Sequence, residues 1–222
     1  MYDSRNVENN PTKGIWAEAH VIAAPKWLGT SVGHYKFCAT MRQYIPLGTP
    51  KVVFAYRLAY QGFFGNAPWY AMPVYTTMGP KPDYDGLGGY RTVRGIMLNR
   101  VQGLHTGFYN AEIRYRFVDF KLFNQNIAFA VSGFTDGTHV FKDYDMTMSA
   151  AKRAELALTA PKKLELYDTF VHPDKKDGFH GSAGAGLRFI MNENFIVAFE
   201  YARCFNKQDG NGAFYINTGF LF

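Results

Sequence analysis

The sequence contains no run of about 18 apolar residues, so it offers no helix able to cross a membrane. Membrane strands stay open, because each needs only about ten residues of alternating character. Cysteine is scarce: Cys38 and Cys204 are the two present, without ligand spacing to each other or to a histidine. A disulfide between them is open but not needed. Charged residues make up 19%, and the surplus of +6 is scattered rather than gathered into a basic aromatic face, which argues against nucleic acid as a partner. No Gly-Lys-Ser/Thr follows the glycine-rich stretch near Gly88, so a phosphate loop is excluded. No Ser-His-Asp or Cys-His set has local support, and no catalytic residue is assigned. His20, His34, His105, His139, His172 and His180 are dispersed, five of them in or beside loops, and read as solvated rather than as metal ligands. Asp83 and Asp85, or Asp143 and Asp145, have a spacing that could attract calcium but read as solvated loop acids. Neither metal nor cofactor is called for.

What is abundant points to β structure. Aromatics reach 17% and glycine 22 residues, a composition that suits an all-β chain better than a helical bundle. Period-two alternation recurs. Ile15, Ala17, Ala19, Val21 and Ala23 oppose Trp16, Glu18, His20 and Ile22, while Tyr35, Phe37, Ala39 and Met41 oppose Lys36, Cys38, Thr40 and Arg42. Val52 to Gln61 alternates likewise. In Gly107 to Phe117, Tyr109, Ala111, Ile113, Tyr115 and Phe117 point one way and Asn110, Glu112, Arg114 and Arg116 the other. Four polar residues on one face cannot lie against a dry core without partners. An ion-paired or wet interior suits them. Further strands are expected at Ile127 to Asp136, Gly181 to Ile190, Phe195 to Cys204 and Ala213 to Phe222, about eight in all.

Connections alternate in length. Long ones fall at 24–33, 62–106, 138–179 and 205–212, and short ones near 46–50, 119–126 and 191–194. Short turns at one rim and long loops at the other are the habit of an up-and-down transmembrane β-barrel. On that rule Phe222 lies at the short-turn rim, and Tyr35, Tyr56, Tyr60, Tyr109, Phe117, Phe214 and Phe222 form an outward lipid face and interfacial girdle. Ser149 to Ala160 has helical composition within the second long loop.

The stretch Leu87-Gly88-Gly89-Tyr90-Arg91-Thr92-Val93-Arg94-Gly95 dominates the first long loop. Its glycines allow a tight turn and close approach by another surface, and Arg94 has the planar reach to grip carboxylates two-pronged. The expectation is a loop tip folded back into the barrel and pinned by Arg94.

Taken in order, Tyr2-Asp3-Ser4-Arg5 with Asn10-Pro11-Thr12-Lys13-Gly14, then Gly88-Gly89 through Val93-Arg94-Gly95, Asn110-Ala111-Glu112-Ile113-Arg114, Gly184-Ala185-Gly186-Leu187-Arg188 and the terminal Phe222 resemble the C-terminal barrel half of the outer-membrane assembly-factor superfamily, the bacterial surface antigen family. The resemblance spans nearly the whole chain. It implies a loop latch of Arg94 on Glu112 and Asp136, with Gly88, Gly89, Val93 and Gly95 as loop motif. In Phe134-Thr135-Asp136-Gly137 the glycine follows the aspartate directly, where the family pattern spaces them. It further implies a weak seam whose C-terminal strand carries Phe214, Ile216, Phe220 and Phe222, and whose unpaired edge can template an incoming strand. The start Met1-Tyr2-Asp3-Ser4-Arg5 has no basic, apolar leader. The chain is therefore expected to be the last half of a barrel of about sixteen strands, non-enzymatic and placed in the outer membrane of a Gram-negative-type envelope. Outer-membrane lipids, nascent barrel or secreted polypeptides, accessory lipoproteins and upstream peptide-binding domains are its expected partners. The alternatives are a small passive porin-like or ligand-binding barrel and a soluble β-sandwich that binds a partner.

Overall fold

A computed structural model describes residues 1–77, 86–171 and 175–222. The nine described strands are β1 Tyr2–Asp3, β2 Gly14–Ala24, β3 His34–Leu47, β4 Thr49–Gly65, β5 His105–Leu122, β6 Gln125–Lys142, β7 Phe179–Met191, β8 Phe195–Cys204 and β9 Ala213–Thr218. They form one antiparallel sheet in the order of the chain, β1 to β9. No second sheet exists among the described residues, so the sandwich alternative fails and the sheet is the wall of a barrel. Among those residues β1 and β9 do not pair with each other, which leaves the wall open on one side.

Every strand expected from alternation is present, and the two-residue β1 is additional. Several run past the apolar period. β5 and β6 reach each other through Phe123 and Asn124 alone, both with positive φ (49° and 61°), the geometry that matches the twist of a two-residue hairpin. The first long connection accordingly shrinks to 66–104 and the second to 143–178. The second holds two helices, α1 Ala150–Thr159 and α2 Pro161–Phe170. Ser149 caps α1 by accepting from the Lys152 amide at 3.3 Å, and Pro161 opens α2 at a position where its missing N–H costs nothing.

The alternation sorts the wall as expected. Cys38, Arg57, Asn110, Glu112, Asp136, Arg188 and Glu200 are buried on the inner face. Tyr35, Phe117 and Phe214 are exposed on the outer one. Cys38 and Cys204 are not joined, so the disulfide left open does not form.

The end of the chain departs from expectation. Phe214, Ile216, Phe220 and Phe222 do not share one face, because β9 stops at Thr218. Gly219 takes φ 90°, a left-handed turn that glycine adopts without a Cβ penalty, and the last three residues bend inward. Phe214 and Ile216 stay outside at 62% and 64% exposure, whereas Phe222 is 5% exposed against Tyr44, Val53 and Ala55. Phe222 therefore leaves the lipid-facing set. The pull inward has a visible cause: the Arg114 guanidinium lies 4.0 Å from the Phe220 ring centroid and 5.2 Å from that of Phe222, and Arg188 lies 4.8 Å from Phe220. Cations over ring faces are worth more when water is excluded. Tyr44 and Val53 flank the short β3–β4 turn, so Phe222 does sit at the short-turn rim.

Candidate functional site: the inner-wall arginine cluster

The described residues of the 66–104 connection fold back against the inner face. Thr92 shapes its tip: the hydroxyl accepts from the Gly88 amide at 3.0 Å and reaches the Gly86 and Gly88 carbonyls at 3.1 and 2.9 Å. Gly89 N–H donates to the Ile96 carbonyl at 2.9 Å, which closes the tip on itself. Gly88 has φ 113°, and a Cβ there would fall 2.0 Å from the Met97 carbonyl oxygen, so the close pass of the two arms needs glycine. Leu87, Val93, Ile96 and Val101 then pack with Tyr75, Phe108 and Val140 into a buried apolar cluster. Burial of this kind, at about 25 cal/mol per Å² of apolar surface, is what holds the tip down.

Arg94 ends on the wall with no solvent exposure. Its backbone N–H and Nε both donate to Asp136 Oδ2, at 3.0 and 2.8 Å, and one terminal nitrogen donates to Asp136 Oδ1 at 3.0 Å. The other terminal nitrogen donates to Glu200 Oε1 at 2.9 Å and stands 3.5 Å from Glu112 Oε2. The guanidinium also lies 3.4 Å from the Phe134 ring centroid. Ser182 Oγ donates to the Arg94 carbonyl. Arg94 and Asp136 are thus brought together most tightly, and Glu112 less so. Glu112 mainly faces Arg188, at 2.7 Å, and Arg114, at 3.4 Å.

Sequence reasoning missed Glu200, which receives both Arg94 and Arg188, the latter at 2.6 Å. Glu200 shares a face with Ala198 and Ala202, opposite Phe199 and Tyr201, and that parity was the available signal. Arg57 anchors the other side of the tip. It donates to Asn110 Oδ1 at 2.7 Å and to the Arg91 carbonyl at 2.8 Å, while Asn110 donates to the Thr92 carbonyl at 2.7 Å. Gly95 N–H donates to Tyr215 Oη on β9 at 2.8 Å.

The histidine reading needs correction at His20, whose two ring nitrogens are buried, and at His180. His180 is buried, not solvated: Nδ1 lies 2.9 Å from both Asp209 oxygens and Nε2 lies 2.8 Å from Asp177 Oδ1. Alternation along β7 places it with Ser182 on the inner face, and two carboxylates compensate for the lost water. Asp145 accepts from the Thr147 amide at 2.9 Å. Asp83, Asp85 and His172 lie outside the described residues. Among those described, no cluster of His, Cys, Asp or Glu is arranged to hold a metal.

A one-sheet antiparallel wall with a loop fastened to its inner face by an arginine defines a β-barrel with an occupied interior. The chain belongs to the Omp85 superfamily, whose domain model matches residues 1–222. This is the outer-membrane assembly-factor superfamily that the sequence resembles. No curated protein sequence gives a significant match. Among solved structures the chain is similar to BamA from Haemophilus ducreyi lacking POTRA domains 1–3, with a TM-score of 0.59 and 18% sequence identity. The match covers 98% of this chain and 39% of that one, so the chain spans well under half the length of that structure.

Proposed function

We propose that this chain forms the C-terminal wall of an outer-membrane barrel that inserts or translocates other polypeptides. Membership of the superfamily supports the location and the general activity. One observation carries the mechanism: β9 is held to β8 over Ala213 to Thr218 only, because the chain turns inward after Thr218, so the last strand of the wall is a short, weakly held seam strand. A free edge presents a row of unpaired N–H and C=O groups that an incoming strand can adopt as a template. Each bond made there replaces one to water, and in lipid an unpaired group costs several kcal/mol, so pairing favours insertion without nucleotide hydrolysis. No catalytic step is assigned to the chain.

In this reading the Arg94 cluster is a latch. It fixes one loop conformation against the inner wall, with Asp136 and Glu200 as its main acceptors and Glu112 as a shared counter-charge. Outer-membrane lipids meet the tyrosine-rich outer face, nascent barrel or secreted polypeptides meet β9, and accessory lipoproteins and upstream peptide-binding domains complete the machine.

Photocrosslinking tests the edge. With a photoreactive residue at Ile216 of the protein in its native membrane, adducts with nascent outer-membrane polypeptides are expected. The same probe at Ile113, on the outer face of the fully paired β5, should give none. Equal yields at both positions would remove β9 as the template.

A further inference from the structure

We propose that His180 is a pH-governed clasp joining three of the long connections at one rim. The ring stands at the start of β7 with a carboxylate on each side. Asp209 comes from the turn Lys207–Asp209 between β8 and β9, and Asp177 from the end of the 143–178 connection. Asp209 is itself buried and reaches the third connection twice. Its carbonyl accepts from the Met97 amide at 2.9 Å, and its carboxylate stands 3.6 Å from Arg100 Nε. Arg100 Nε also donates to the Gln208 carbonyl at 3.3 Å.

The sign follows from the two ring nitrogens. A carboxylate can only accept, so both Nδ1 and Nε2 must carry hydrogen for both contacts to be hydrogen bonds. The doubly protonated, cationic ring satisfies this. Loss of one proton leaves a nitrogen lone pair against a carboxylate at under 3 Å, a repulsive contact in a place short of water. The clasp is therefore closed while the ring is charged and opens as pH rises. Among the described residues the charged groups around the ring are Asp177, Asp209 and Arg100. β6 contributes the uncharged Thr138 opposite His180 in register, and the Cys204 thiol of β8 is engaged with the Gly210 carbonyl at 2.7 Å. Consistent with the arrangement, hydrogen bonding from His180 holds the Asp177 carboxyl below the usual carboxylate range. The carboxylates approach from opposite edges of the ring, so the three residues do not converge on a metal.

The test uses hydrogen exchange on the full protein in detergent or native membrane, read as protection factors, which remove the intrinsic pH dependence of exchange. Protection of the Met97 and Gly210 amides should fall about tenfold between roughly pH 6 and pH 9, the loss of one charge-assisted hydrogen bond. His180→Gln should flatten that profile, and His139→Gln should keep it. Asp177→Asn keeps an acceptor but removes a charge, and should move the step to lower pH. It serves as the second reading if His180→Gln fails to fold. A flat wild-type profile, a step that survives His180→Gln, or a step unmoved by Asp177→Asn would each overturn the proposal.

Discussion

Gly95 gives its amide hydrogen to Tyr215 Oη at 2.8 Å, so the tip of the inner loop and the last strand of the wall share a hydrogen bond. The ring of Tyr215 also lies 6.5 Å from that of Tyr90 on the same loop. A strand proposed to receive incoming chains is thereby tied to the loop that fills the interior. Tyr215→Phe keeps the ring and removes the acceptor, which leaves the Gly95 N–H unmatched at a cost of about 1–3 kcal/mol. Amides of Gly95 and β9 should then exchange about tenfold faster with the rest of the wall unchanged. Unaltered exchange in β9 would show that loop and strand move independently.

Arg94 faces acids on β5, β6 and β8. Removing one partner of a buried ion pair costs about 3–5 kcal/mol, because the other charge stays buried without compensation. Arg94→Ala should leave the barrel folded but free the loop to proteolysis. Arg94→Lys should rescue little, since an ammonium cannot reproduce the two-pronged grip on Asp136. Asp136→Asn should loosen the loop more than Glu112→Gln, because Asp136 accepts three bonds from Arg94 whereas Glu112 stands 3.5 Å away. Protease sensitivity of the loop ranks the four variants, and the reverse order for the two acids would contradict this geometry.

Two glycine substitutions should differ in effect. At Gly95, φ is 85° and an added Cβ would sit 3.1 Å from the Ala202 Cβ. Gly95→Ala should destabilise by about 1–2 kcal/mol from backbone handedness alone. Gly133 has no positive φ and nothing within 4 Å of an added Cβ, so Gly133→Ala should be neutral or mildly stabilising. Thermal midpoints in detergent measure both.

Acid should loosen the rim by a separate route. The Asp177 carboxyl is held low chiefly by its hydrogen bond with His180. A group with a depressed folded-state pKa contributes stability above its unfolded value, about 4 for aspartate, and loses it as pH falls through the folded one. Protection at Gly178, whose amide contacts the Asp177 carboxylate at 3.1 Å, should therefore decline below about pH 4. Asp177→Asn should abolish that acid-side decline.

Much of the wall was readable from parity. The run Asn110, Glu112, Arg114 told inside from outside on β5, and the same count places Asp136, Arg188 and Glu200 inward. What parity cannot do is say which inner charges meet, since that depends on how far the sheet curls. Glu200 was passed over for this reason, although it receives two arginines. Strand ends were underestimated where the apolar period stops but backbone pairing continues, as at Phe123 and Asn124, where a phenylalanine with positive φ gives no compositional warning. The inward bend at Gly219 was hidden in an aromatic run that reads as one continuing strand. His180 illustrates the converse: its alternation was visible, but its partners come from connections whose paths no local pattern reveals.

The side chains packed around Arg94 leave its guanidinium without contact with solvent. No file of water can then run past it along this stretch of wall. A hydrated ion approaching this group would have to shed its shell beside fixed charges already matched to one another. The fastened loop therefore keeps bulk water off this stretch of the inner wall.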